Sequence, residues 1–95
     1  MTAKQNDIVL ALENLVLSRF NKETLEAKLS EIFEEPIRVE LGYEDVEDFP
    51  DWDFMFQSDN EEFGGDFDIY VLKHRNIDSF GNEFMVTGIG YDFYN

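Results

Sequence analysis

The chain has 95 residues, 43% of them hydrophobic and 16% aromatic, with 22 acidic against 7 basic side chains and a net charge of -15. That length suffices for one core under two layers of secondary structure, and the apolar content is too high for a disordered chain. The charge weighs against direct contact with nucleic acid or an anionic membrane, and the absence of cysteine excludes a disulfide framework and any thiolate metal site.

The N-terminal residues 1–6 read as a frayed lead-in. Ile8, Leu12, Leu15 and Val16 then follow the i, i+4, i+7, i+8 spacing of a helix face, which predicts a first helix over about residues 7–19, capped by Asn6 or Asp7. Glu13 interrupts the apolar run of residues 8–12, so it serves neither as a signal peptide nor as a membrane span, and a cytoplasmic location is expected. Asn21 is the next N-cap, ahead of Leu25, Leu29, Ile32 and Phe33, and Pro36 ends a second helix over about residues 22–34. With only Phe20 and Asn21 between them, the helices are expected as a hairpin or bent pair lying on a sheet.

After Pro36 the period changes from 3.6 to 2. Ile37, Val39 and Leu41 alternate with Arg38 and Glu40 in a first strand over residues 37–41. A β-hairpin follows a polar connection over residues 43–50. Trp52, Phe54 and Phe56 share one face of its first strand, and Phe67, Ile69 and Val71 one face of its second. Joining the two apolar faces requires Phe56 to pair with Phe67 and Phe54 with Ile69, which sets Asp53 opposite Tyr70 and Asp68 opposite Met55. The intervening loop is expected to turn through positive φ at Gly64 and Gly65.

A last strand over about residues 83–93 carries Met85, Ile89, Tyr91 and Phe93 on one face and Phe84, Val86, Gly88 and Gly90 on the other. Both faces hold large apolar residues, so either could be the buried one, and the glycines suit a close approach or a bulge. The expected fold is α+β, in which two N-terminal helices pack on one face of a four-stranded antiparallel sheet, as one domain over residues 1–95.

Chemistry is scarce in this chain. The sole histidine, His74, lies between Lys73 and Arg75, which is no setting for a neutral general base. Carboxylate pairs such as Asp51 with Asp53, or Asp66 with Asp68, are too common among so many acids to signal a glycosidase dyad. The protein is therefore expected not to be an enzyme and to need no cofactor. The loop over residues 58–66 is rich in oxygen donors, which gives a calcium-binding or metal-stabilised domain as an alternative. It fits an EF-hand poorly, because counting from Asp59 places Phe63 and Tyr70 at ligand positions.

The acids are unevenly spread. Glu40, Glu44, Asp45, Glu47, Asp48, Asp51, Asp53, Asp59, Glu61, Glu62, Asp66 and Asp68 lie between Arg38 and Lys73 with no Lys or Arg among them. Tyr43, Phe49, Trp52, Phe63 and Tyr70 are interleaved there, and aromatics are the usual anchors of interfaces. The expected function is a binding protein that docks a basic protein through Tyr43, Glu44, Asp45, Glu47, Asp48, Asp51, Asp53, Asp66, Asp68 and Tyr70. An inhibitor or immunity-type protein covering a nucleic-acid-binding site is one form of it. The hairpin alone is too sparse to mimic DNA, since acids on one strand face recur every ~6.6 Å and phosphates every ~3.4 Å of duplex axis. The remaining alternative is that the acidic face serves only solubility.

Overall fold

The computed structural model describes residues 1–41, 51–73 and 83–95. The order is α1 (Ala3–Glu13), β1 (Arg19–Phe20), α2 (Lys22–Phe33), β2 (Glu40–Leu41), β3 (Asp51–Ser58), β4 (Gly65–Lys73) and β5 (Phe84–Phe93). This is the predicted α+β arrangement of two helices ahead of four antiparallel strands, with one addition. The two-residue β1 between the helices extends the sheet to β1-β5-β4-β3-β2.

The first helix starts earlier and stops sooner than its periodicity suggests. The Thr2 hydroxyl accepts from the Gln5 amide at 3.2 Å while Gln5 Oε1 accepts from the Thr2 amide at 3.0 Å. This reciprocal cap starts α1 at Ala3, so residues 1–6 are not a frayed lead-in. Gln5 is 2% exposed, and its side-chain amide also donates to the backbone oxygens of Glu62 and Asn95, each at 3.1 Å. The far end leaves the helix because Leu17 and Ser18 bond to a strand. Leu17 N–H donates to the Val86 oxygen at 2.8 Å and Val86 N–H to the Ser18 oxygen at 3.0 Å. The helices are therefore not a tight hairpin.

Leu17 takes a φ of 70° and is 73% exposed. An L-residue there costs ~1–2 kcal/mol, while glycine brings an entropic penalty of ~0.5–1 kcal/mol. Leu17→Gly removes little packing and is expected to raise stability by up to about 1 kcal/mol, measured as the urea midpoint. A lower midpoint would mean that the Leu17 side chain holds the turn.

α2 begins at Asn21 as predicted, with Asn21 Oδ1 accepting from Thr24 N–H at 2.8 Å and Thr24 Oγ1 from Asn21 N–H at 2.9 Å. Residues 37–40 alternate in burial as expected, Ile37 and Val39 being buried and Arg38 and Glu40 exposed, but the strand itself is only two residues long. The reason lies in α2: Ser30 Oγ accepts from Ile37 N–H and Glu26 Oε2 from Val39 N–H, each at 2.9 Å. Amide groups held by the helix do not join the ladder, so pairing starts at Glu40.

The hairpin register is the predicted one. Phe56 pairs with Phe67, Phe54 with Ile69, Asp53 with Tyr70 and Met55 with Asp68. Phe54, Phe56, Phe67, Ile69 and Val71 are buried against Ile8, Leu12, Leu25, Leu29 and Phe33 from the helices. A bulge settles which face of β5 is buried. Val71 pairs with Val86 and Tyr70 with Gly88, leaving Thr87 over. The inward set therefore changes parity, from Phe84 and Val86 before the bulge to Ile89 and Phe93 after it.

Candidate functional site

Helices cover one side of the sheet, and among the described residues no helix packs on the other. On that outer side lie Met55 and Gln57 of β3, Asp66, Asp68, Tyr70 and Leu72 of β4, and Asp92 of β5. All are exposed except Asp68, which is half-buried. Alternation puts those of β3 and β4 there, because each is one residue out of phase with a buried neighbour, and the register that sets Asp92 opposite Asp66 puts Asp92 on the same side. Arg38 and Glu40 extend this face past β3, where a cleft of about 590 Å³ is bordered by Arg38, Glu40, Met55, Gln57, Asp66 and Asp68.

The carboxylate of Asp66 is fixed in place. Its Oδ1 accepts from Gln57 Nε2 and from the Tyr94 hydroxyl, both at 2.8 Å. The hydrogen bond to this carboxylate, more than burial, raises the Tyr94 phenol above its ordinary pKa. Two donors on one oxygen offset the repulsion from Asp92, which the register sets directly opposite Asp66. No two acids face each other between β3 and β4, whereas Asp66 and Asp92 do between β4 and β5.

Tyr70 is 43% exposed and lies across the two glycines of β5. A Cβ at Gly90 would sit 3.2 Å from the Tyr70 hydroxyl oxygen, and one at Gly88 would sit 3.6 Å from its Cδ2. The close approach anticipated at these glycines is therefore that of a ring. It leaves an aromatic surface spread over two strands and edged by acids.

Of the residues predicted to bind a partner, the fold brings Asp66, Asp68 and Tyr70 together on this face. Asp51 and Asp53 hold β3 positions paired with Leu72 and Tyr70. Tyr43, Glu44, Asp45, Glu47 and Asp48 lie outside the described residues, as do Phe49 and His74. Phe63 is not a surface anchor. Its ring packs 5.9 Å from that of Phe33 at the rim of the core. Sequence reasoning missed Asp92, Met55 and Tyr94. Met55 was legible as the outward residue between Phe54 and Phe56, whereas Asp92 and Tyr94 depend on the β5 register, which the bulge conceals.

Two of the oxygen-bearing side chains in the loop, Ser58 and Asn60, are engaged within the fold, while Asp59, Glu61 and Glu62 are exposed. Asn60 Oδ1 accepts from the amides of Glu62 and Phe63 at 2.8 and 3.2 Å, and the buried Ser58 hydroxyl bonds to Glu35. Neither Gly64 nor Gly65 has a φ in the left-handed range, contrary to expectation. Glycine is needed because a Cβ at Gly64 would lie within 2.7 Å of the Ser58 oxygen and one at Gly65 would meet the Asp92 oxygen. Among the described residues no three His, Cys, Asp or Glu side chains gather as a metal-ligand set. Millimolar calcium is expected to raise the melting temperature no more than sodium chloride of equal ionic strength, because specific binding adds a saturable increment beyond screening. A one-to-one calorimetric isotherm would overturn this. Among the described residues no helix is long and apolar enough to cross a membrane.

Comparison of the chain with protein-family models, curated proteins and solved structures finds no match.

Proposed function

We propose that this is a cytoplasmic, non-catalytic acidic protein that docks a basic protein partner through the outer face of its sheet, in the manner of an inhibitor covering a nucleic-acid-binding site. The observation that carries this reading is the presence of a positioned carboxylate, Asp66, and an exposed ring, Tyr70, on the sheet face that the described helices leave uncovered. Interfaces draw their energy from such anchors, and complementary charge adds encounter rate and selectivity. A solubility device needs charge only in bulk, with no carboxylate held in one geometry.

The test compares two triple variants of equal net charge. One neutralises the face (Asp66→Asn, Asp68→Asn, Asp92→Asn), and the other neutralises exposed positions in the helices and at the end of α2 (Glu13→Gln, Glu31→Gln, Glu34→Gln). With oligolysine as the probe, the face variant is expected to associate about tenfold more slowly at low salt and to show a flatter salt dependence, with little change in the helix variant. Equal effects in the two variants would reduce the acidic face to bulk charge. Loss of folding in the face variant would show those carboxylates to be structural.

A further inference from the structure

β5 is ten residues long, yet the strand on its outer side, β1, has two. β1 pairs with Phe84 and Met85, and Leu17 and Ser18 bond to Val86. Among the described residues the hydrogen bonding of this edge stops there. From Thr87 to Phe93 the strand pairs, among the described residues, with β4 alone. In an antiparallel ladder every second residue turns its N–H and C=O to the side away from a given neighbour. This stretch therefore presents a row of donors and acceptors ~24 Å long. Helix α1 packs on β5 through core residues such as Ile8 and Leu12, and its own backbone groups are committed within the helix, so it does not satisfy that row.

Sheet edges are ordinarily blunted by lysine, proline or a bulge within the exposed stretch. Here the sequence is Thr-Gly-Ile-Gly-Tyr-Asp-Phe, with neither lysine nor proline, and the bulge at Thr87 comes at its start. Only an extended backbone complements such a row, so the edge itself defines its occupant.

The side chains define the occupant further. On the outer face Gly88 and Gly90 leave a path over which the ring of Tyr70 is already laid, with Asp68 against Gly90 and Asp92 two residues further along β5. A long cationic side chain from an added strand would lie over that ring and near those carboxylates. On the inner face Ile89 and Phe93 are partly buried at the rim of the core, where apolar side chains fit. A second copy of this chain would bring Asp92 and a net charge of -15 against their like. We propose that the β5 edge from Thr87 to Phe93 is a strand-addition site for an extended segment of the partner in which cationic and apolar residues alternate. This rests on the docking function proposed above and names its mode.

The experiment is amide hydrogen exchange on the full chain with three short synthetic peptides, which alternate lysine with valine, glutamate with valine, and lysine with valine carrying an N-methyl group on every backbone amide. The lysine–valine peptide is expected to slow exchange at alternate amides of residues 87–93 by tenfold or more. The glutamate peptide should fail for charge and the N-methylated peptide for want of backbone donors. If the lysine–valine peptide leaves those amides unprotected while oligolysine still separates the two triple variants, strand addition is wrong and the docking face stands. If oligolysine does not separate them either, both readings fall. Equal protection by the glutamate peptide would overturn the cationic partner, and protection that rises with protein concentration alone would assign the edge to a second copy.

Discussion

Phe67→Ala is expected to destabilise the fold by about 3–5 kcal/mol, a large share of the roughly 5–15 kcal/mol that holds a domain together. Phe67 is 1% exposed, and its ring is the meeting point of three elements. It stacks on Phe56 of β3 at 5.1 Å and meets the edges of Phe33 of α2 at 5.0 Å and Phe93 of β5 at 5.6 Å. Removing it forfeits transfer free energy and leaves a cavity that strands on both sides and a helix above cannot close together. Phe67→Leu keeps most of the volume and is expected to recover more than half of the loss. Urea unfolding gives the measurement, with the midpoint falling and the slope unchanged if the native state stays compact. A loss under about 1 kcal/mol for the alanine variant would mean that the core is organised around other residues.

Gly65→Ala is the second large effect, and it acts through backbone. Gly65 is paired with Phe93, and an added Cβ would fall on the Asp92 carbonyl oxygen and 2.9 Å from the Phe93 Cα. Ladder atoms cannot yield as a side-chain tip does, so strands β4 and β5 must separate at their ends. The expected loss is at least the ~1–3 kcal/mol of an overpacked core. Gly88→Ala is the control. Its nearest neighbour is the Tyr70 ring at 3.6 Å, an ordinary contact, and replacing a strand glycine restores ~0.5–1 kcal/mol of backbone entropy. Thermal melts should therefore move in opposite directions. If both variants melt alike, the close approach at Gly65 is relaxed without strain and glycine is not required there.

The docking face was partly legible because β-alternation is a local property. Asp66, Asp68 and Tyr70 could be assigned to the surface from their buried neighbours Phe67 and Ile69 alone. The partners of Asp66 could not, since Tyr94 is 28 residues away and reaches it only through the β4–β5 register. Phe63 misled for the same reason. An aromatic among acids looks like a surface anchor until Phe33, thirty residues earlier, is folded beneath it.

The sequence by itself determined the helix α2 with its Asn21 cap, the α+β order and the hairpin register from Phe54–Ile69 to Phe56–Phe67. Each of these follows from spacing and parity within a short stretch, where one slip would turn a whole apolar face outward. The Thr2–Gln5 cap was equally local, and the stronger apolar period beyond Asp7 hid it. Only the tertiary structure decided that α1 ends at Glu13, that strand β2 is confined to two residues and that β5 changes its buried face at Thr87. In all three, a backbone group bonds to a partner distant in sequence, Leu17 to Val86, Val39 to Glu26 and Tyr70 to its shifted place beside Gly88. Local periodicity carries no record of where a hydrogen bond of that kind will go, because the competing helix or strand satisfies the same group nearly as well until the remote partner is in place.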